Sequence, residues 1–155
     1  MIWEELDKSL IMTDLDVTCW EDVMKEIGGT LTKEGYTKDS YVDALIAREK
    51  EYPTGLDIDG IGVAIPHTDV SHVNKAGIAI GVLKEPVTFV QMGTDDETAK
   101  VGVVFMLSVV DPNKHMDHLQ RIITIIQDKN VLNQLLEAKE TDEIIEIIKE
   151  KENTL

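Results

Sequence analysis

At 155 residues with 43% apolar and 29% charged content, the chain has the size of one compact domain over residues 1–155 with its own core, and its composition excludes extended disorder. The formal net charge of -15, from 30 acidic against 15 basic residues, repels nucleic-acid backbones and anionic lipid faces; it suits a basic protein partner and serves solubility equally well. Cys19 is the one cysteine, so no internal disulfide or cysteine-based metal cluster can form, and neither a basic leader nor a run of roughly 18 apolar residues is present, which points to the cytoplasm.

The mixed segment Ser9 to Val17 reads as a first strand. Thr18-Cys19-Trp20-Glu21 has the form of a capping box, with Thr18 and Glu21 each satisfying a free backbone N–H. Behind it Trp20, Val23, Met24, Ile27 and Leu31 recur at helical spacing and give one apolar stripe, with Gly28-Gly29 expected to loosen the last turns. A second helix is expected from about Asp39 to Glu51, its stripe running Tyr41, Ala44, Leu45 and then Arg48, with Pro53-Thr54-Gly55 as its stop.

Three apolar runs follow, Ile61 to Ile65, Ala76 to Leu83 and Val101 to Val110, bounded by Gly, Pro or Asp-rich turns, with Val87 to Val90 as a short addition. The last two of the three are almost continuously apolar, as strands are when helices cover both faces. Asp111-Pro112 then resembles an N-cap followed by a proline at the first helical position. The helix it opens runs to about Asp128, with Met116 or His115, Leu119, Ile122, Ile123 and Ile126 as its stripe. Leu132, Leu135 and Leu136 mark another short helix, and Thr141 caps a last one whose Ile144, Ile145, Ile147 and Ile148 form a broad buried face. The order predicts an α/β sandwich of helices around a small sheet.

Among four histidines, His67 stands out, because Gly62-Val63-Ala64-Ile65-Pro66 carries an apolar strand into a proline that ends the ladder and leaves the next side chain at a strand mouth. An exposed loop histidine without a role fits that position too. Arg48 falls where its stripe assigns core, so its guanidinium either meets an anion or lays its stem along the core edge with the head in water. His115 and His118 lie one turn apart near a helix start, where backbone N–H groups and the dipole suit a phosphate, and where a surface histidine is equally ordinary. A zinc site from His67, His115 and His118 has the right ligand types but matches no established spacing. No nucleophile elbow, Walker loop or zincin helix is present, and Asp95-Asp96 reads as a solvated loop.

Taken together, Ala44-Leu45-Ile46-Ala47-Arg48-Glu49, Tyr52-Pro53-Thr54-Gly55-Leu56 and Val63-Ala64-Ile65-Pro66-His67-Thr68-Asp69 resemble the signature of fructose- and mannitol-type enzyme IIA domains of the bacterial sugar phosphotransferase system. The Pro-Thr-Gly-Leu step and His72-Val73 are most similar to the galactitol branch, and His115-Met116-Asp117-His118-Leu119-Gln120-Arg121 resembles the family's helix with its second histidine. The likeness covers nearly the whole chain.

This resemblance implies a three-layer α/β/α fold with a small mixed sheet. It implies His67 as the phosphoryl acceptor, Arg48 as a phosphate-binding arginine and His115, in preference to His118, as a second stabilising residue. The implied partners are the phosphocarrier HPr as donor and a IIB component, with its membrane IIC, as acceptor; no cofactor, nucleotide or metal is implied. A regulatory module comparable to the nitrogen-related enzyme IIA is the main alternative, and a histidine-ligated metal hydrolase a more distant one.

Overall fold

The two longest apolar runs pair antiparallel at the centre of the sheet in the computed structural model, which describes residues 1–155. In chain order the strands are β1 (Ile11–Leu15), β2 (Gly55–Ile58), β3 (Ile61–Ala64), β4 (Gly77–Val90) and β5 (Thr98–Ser108). The helices are α1 (Trp20–Lys33), α2 (Tyr41–Glu51), α3 (Pro112–Ile126), α4 (Lys129–Glu137) and α5 (Thr141–Glu152), and short 3-10 turns cover Ile2–Glu5, Lys8–Leu10 and Val70–His72. The sheet runs in the order β1-β4-β5-β3-β2; β1 is parallel to β4 and β3 to β5, whereas β4/β5 and β2/β3 are antiparallel.

Alternation along the strands divides the core into two layers. Ile78, Ile80, Phe105 and Leu107 pack with Ile122, Ile126, Leu132 and Ile148 of α3 to α5, while Ala79, Leu83, Val104 and Met106 pack with Ile27, Leu31 and Leu45 of α1 and α2. Water reaches neither face of residues 78–83 and 101–108, which is why those stretches are continuously apolar, whereas the outer halves of β4 and β5 alternate, with Thr88 and Lys100 exposed. The expected three-layer α/β/α sandwich with a mixed sheet is the observed one.

Several boundaries differ from expectation for local reasons. Neither Thr18 nor Thr141 caps a helix: Cys19 and Glu140 hold those positions, without a side-chain cap bond. At α2 the N-cap is Ser40, whose hydroxyl is taken by His72 Nδ1 at 2.8 Å. The pair Gly28-Gly29 does not loosen α1; a Cβ on Gly28 would lie 3.2 Å from Val42 Cγ2, so the missing side chain lets α1 and α2 approach. Two expected strands are one, because β4 continues past a register irregularity between Val82 and Val87, where Lys84, Glu85 and Pro86 face solvent. The edge strand β2 went unforeseen, since its Leu56 and Ile58 follow what reads as a helix stop.

Parallel pairing of β3 with β5 brings the C-terminal ends of both strands to one edge. The chain leaves β3 into Ile65-Pro66-His67 and leaves β5 into Asp111 and α3. Sheet topology therefore places His67 and the first turns of α3 side by side, as covered α/β sheets do with their sites.

Candidate active site

Main-chain hydrogen bonds hold the segment that carries His67 from two sides. The Ile65 N–H donates to Thr54 O at 3.3 Å, and Pro66 O accepts from Leu107 N–H of β5 at 3.0 Å. Pro66, having no N–H, ends the ladder and turns the following side chain out at the rim. His67 Nδ1 lies 2.9 Å from Ile65 O. A carbonyl oxygen only accepts, so Nδ1 carries the proton and the lone pair of the neutral ring sits on Nε2. The ring is half-buried; burial, seconded by the charge of Arg48, lowers its pKa against the opposing pull of the Ile65 carbonyl.

The ring of His115 faces that of His67, with centroids 4.7 Å apart and planes tilted by 50°. Its position follows from the helix start: Pro112 opens α3, Asp111 Oδ1 accepts from Asn113 N–H at 3.0 Å, and the His115 N–H donates to Asp111 O at 2.9 Å. Met116 is 62% exposed, so of the two stripe candidates the histidine is the one turned toward the site. Burial, then the neighbouring His67, His118 and Arg48, depresses His115 to about 4, which leaves a neutral imidazole at neutral pH. The helix-start N–H of Asn113 is engaged by the Asp111 carboxylate, so His115 brings a ring N–H to the site while that backbone group does not.

Arg48 reaches the same open cleft as His67, His115, Asp69, Val70 and Pro112. The helical stripe assigns it to the core, but Arg48 is exposed and its guanidinium carbon stands 4.8 Å over the centre of the Tyr52 ring. Stacking on an aromatic face steadies a cation that remains open to an incoming anion. The buried residue of that turn is Glu49, 6% exposed. Its carboxylate accepts from the Thr54 N–H at 2.8 Å and the Thr54 hydroxyl at 2.7 Å, while burial raises its pKa to about 7 against the lowering effect of those bonds.

The remaining histidines and Asp69 have partners of their own, although Asp69 still lines the cleft. His118 Nε2 meets Glu5 Oε2 at 3.0 Å, His72 bonds Ser40, and the Asp69 carboxylate accepts from Ser71 N–H at 3.0 Å. No three His, Cys, Asp or Glu side chains converge in a way that could hold a metal ion, so the set His67, His115 and His118 is not assembled as ligands. The structure thus brings together His67, His115 and Arg48, and adds Tyr52, Glu49 and Thr54, to which the sequence reading gave no role. Their signal was present in Arg48-Glu49 directly preceding Tyr52-Pro53-Thr54, where a charged residue at the buried end of a helix calls for a nearby donor.

Residues 4–151 match the family described as phosphoenolpyruvate-dependent sugar phosphotransferase system, EIIA 2. The chain is 33% identical over 151 residues to the fructose-specific EIIABC component of Bacillus subtilis (strain 168), aligning 95% of its own length with 23% of that longer protein. It is 30% identical over 120 residues to the galactitol-specific EIIA component of Escherichia coli (strain K12), covering 77% of this chain and 79% of that one. In structure it resembles the complex of enzyme IIAMTL and phosphorylated enzyme IIBMTL from Escherichia coli, with a TM-score of 0.77, 25% identity, and coverage of 94% of this chain and 97% of that one.

Proposed function

Because the chain belongs to the EIIA 2 family of the phosphoenolpyruvate-dependent sugar phosphotransferase system, we propose that it carries a phosphoryl group on Nε2 of His67 between two visiting proteins. The observation that carries this reading is the neutral His67 ring held by its Nδ1 on Ile65 O, which leaves the second nitrogen free in a residue that lines the cleft shared with Arg48 and His115. In the loading step the Nε2 lone pair attacks phosphorus, the N–P bond of a donor phosphohistidine breaks, and that donor ring keeps the electron pair. In the unloading step an acceptor cysteine thiolate attacks, the Nε2–P bond breaks, and the neutral ring of His67 is regenerated. The group arrives activated on nitrogen, so the protein's task is in-line positioning and stabilisation of charge on the equatorial oxygens.

Arg48 supplies the positive charge and His115, neutral at rest, supplies a hydrogen-bond donor. The donor is HPr and the acceptor the IIB component of a cytoplasmically loaded transporter. The structurally similar complex of enzyme IIAMTL with phosphorylated enzyme IIBMTL, and the fructose-specific EIIABC relative, support a IIB partner. The galactitol-like Pro53-Thr54-Gly55-Leu56 step and the galactitol-specific relative support galactitol as the sugar.

The test is a relay in solution: label from phosphorylated HPr loaded on this chain, then offered to purified galactitol, mannitol and fructose IIB proteins. Transfer to the galactitol IIB cysteine supports the reading. Label that enters the chain and passes to no IIB favours the regulatory alternative.

A further inference from the structure

The helix that presents Arg48 also holds the backbone beneath His67, and we infer that Glu49 is a positioning residue for the transfer: through Thr54 and Ile65 it fixes which nitrogen of the His67 ring is free. The inference rests on the functional reading above. A continuous path links the two side chains. The Thr54 N–H and hydroxyl donate to the two carboxylate oxygens of Glu49 at 2.8 and 2.7 Å, the Ile65 N–H donates to Thr54 O at 3.3 Å, and Ile65 O meets His67 Nδ1 at 2.9 Å.

Each link is enclosed. Glu49 is 6% and Thr54 4% exposed, and Ile65 is fully buried. Gly55 leaves no slack beside Thr54: its carbonyl accepts from Met92 N–H at 2.7 Å, and a Cβ on it would lie 2.7 Å from Val90 O. Two bonds to one residue fix the orientation of Thr54 and so the direction of its carbonyl, which a single contact would leave free to swivel.

The Ile65 carbonyl needs that support because the following residue is proline. Pro66 has no N–H, so the peptide unit carrying Ile65 O gains no anchoring from its nitrogen side. Its orientation depends on Ile65 N–H upstream and on Pro66 O downstream. The downstream anchor is separate from Glu49: Tyr41 Oη donates to Leu107 O at 2.7 Å, and the Leu107 N–H holds Pro66 O at 3.0 Å. With that clamp intact, loss of Glu49 leaves the loop in place while Ile65 O becomes free to turn from Nδ1. Burying a carboxylate here is costly, as its pKa near 7 shows, and a purely structural contact could have been apolar.

The test compares Glu49→Ala, Glu49→Gln and Thr54→Val by nitrogen NMR of the His67 ring, with transfer from phosphorylated HPr as a second readout. The amide of Glu49→Gln can accept from the Thr54 N–H and donate to its hydroxyl, so this variant keeps the path and restores the Nδ1-protonated ring. Glu49→Ala shifts the ring toward a mixture of tautomers and lowers kcat roughly ten- to a hundredfold with KM for the donor unchanged. A folded Glu49→Ala protein with the wild-type tautomer and kcat would overturn the inference. Should Glu49→Ala not fold, Thr54→Val decides in the same way, a wild-type tautomer overturning it. The ring spectrum requires no phosphoryl transfer, so a wild-type chain that HPr fails to label would refute the functional reading and leave the positioning result to stand on the spectrum.

Discussion

The imidazoles of His67 and His115 lie with centroids 4.7 Å apart, although His67 follows β3 and His115 lies in α3 after β5, and the parallel pairing of those two strands brings them to one edge. Two neutral rings at this distance coexist comfortably, whereas two cations would repel, and after burial the neighbouring His67 is the main cause that depresses His115. A phosphoryl group on His67 would add negative charge to a cleft that Asp69 already lines, and would meet Arg48 and a ring N–H of His115.

His115→Ala therefore acts on the rate more than on the fold. The expected result is transfer from phosphorylated HPr slowed by about tenfold to a hundredfold, as for loss of one hydrogen-bond donor in a transition state, with a thermal midpoint close to wild type. Rapid-quench labelling and a melting curve on the same preparation check both halves.

Arg48→Ala is expected to fold as well as the wild type, because the guanidinium is exposed and lies over the Tyr52 face. Transfer slows by about a hundredfold, and Arg48→Lys recovers only part of it, since a point charge replaces a planar fork that can stack and bond two oxygens together. Labelling rates of the two variants under equal donor concentration measure the difference.

Acidification tests the state of the rings. Burial lowers His67 below its ordinary 6.5 and takes His115 to about 4, so both are neutral at neutral pH. The acid limb of the loading rate should follow His67 and lie below the ordinary 6.5. An NMR titration of the ring carbons, run beside the rate profile, assigns the limb to His67.

Glu49 gives a stability prediction of definite sign. Its carboxyl titrates at about 7 in the folded protein against 4.5 ordinarily, so the folded state binds that proton more tightly than the unfolded chain. The resulting contribution is fully present below the unfolded value and is lost as pH rises through about 7. His115 works oppositely, its contribution lost as pH falls through about 4, but it is common to both proteins in a comparison of wild type with Glu49→Gln. Between about pH 5 and about pH 8, urea unfolding should show wild type losing ~2 kcal/mol relative to Glu49→Gln, from a shift worth ~1.4 kcal/mol per pH unit.

Outside the cleft, Glu152 is fully buried and accepts from Ile2 N–H at 3.1 Å, Trp3 N–H at 2.7 Å and Arg121 Nε at 2.9 Å. Burial pushes this carboxyl up, yet those N–H groups and the guanidinium together hold it below its ordinary value. Glu152→Ala leaves Arg121 and two backbone donors without their acceptor and should cost about 3 kcal/mol, read as a lower midpoint in urea, with the phosphoryl-transfer rate of the folded fraction unchanged.

What could be read from residues alone follows from how local each signal is. The stripe Val23, Met24, Ile27 and Leu31 and the continuous run from Val101 announce a helix and a doubly covered strand, because burial on a fixed face leaves a period in the sequence. Pro66 before His67 marks a strand mouth for an equally local reason. Arg48 misled as a core position because a stripe resolves direction only to about one residue, and the neighbouring Glu49 took the buried place. The pairing of Glu49 with Thr54, the stacking of Arg48 on Tyr52, and the edge strand β2 depend on how the chain folds back after α2, which periodicity does not encode. Capping at Thr18 and Thr141 failed for a related reason: a motif specifies a possible bond, and the start of the helix shifted by one residue decides whether it forms.

The most direct check on a phosphoryl carrier centred on His67 is to locate the acid-labile phosphate after loading, by phosphorus–nitrogen coupling in the labelled protein. The account predicts one phosphate, bonded to Nε2 of His67, and none on a His67→Ala chain. Phosphate on His115, His72 or His118, on Nδ1 of His67, or undiminished in His67→Ala would contradict it.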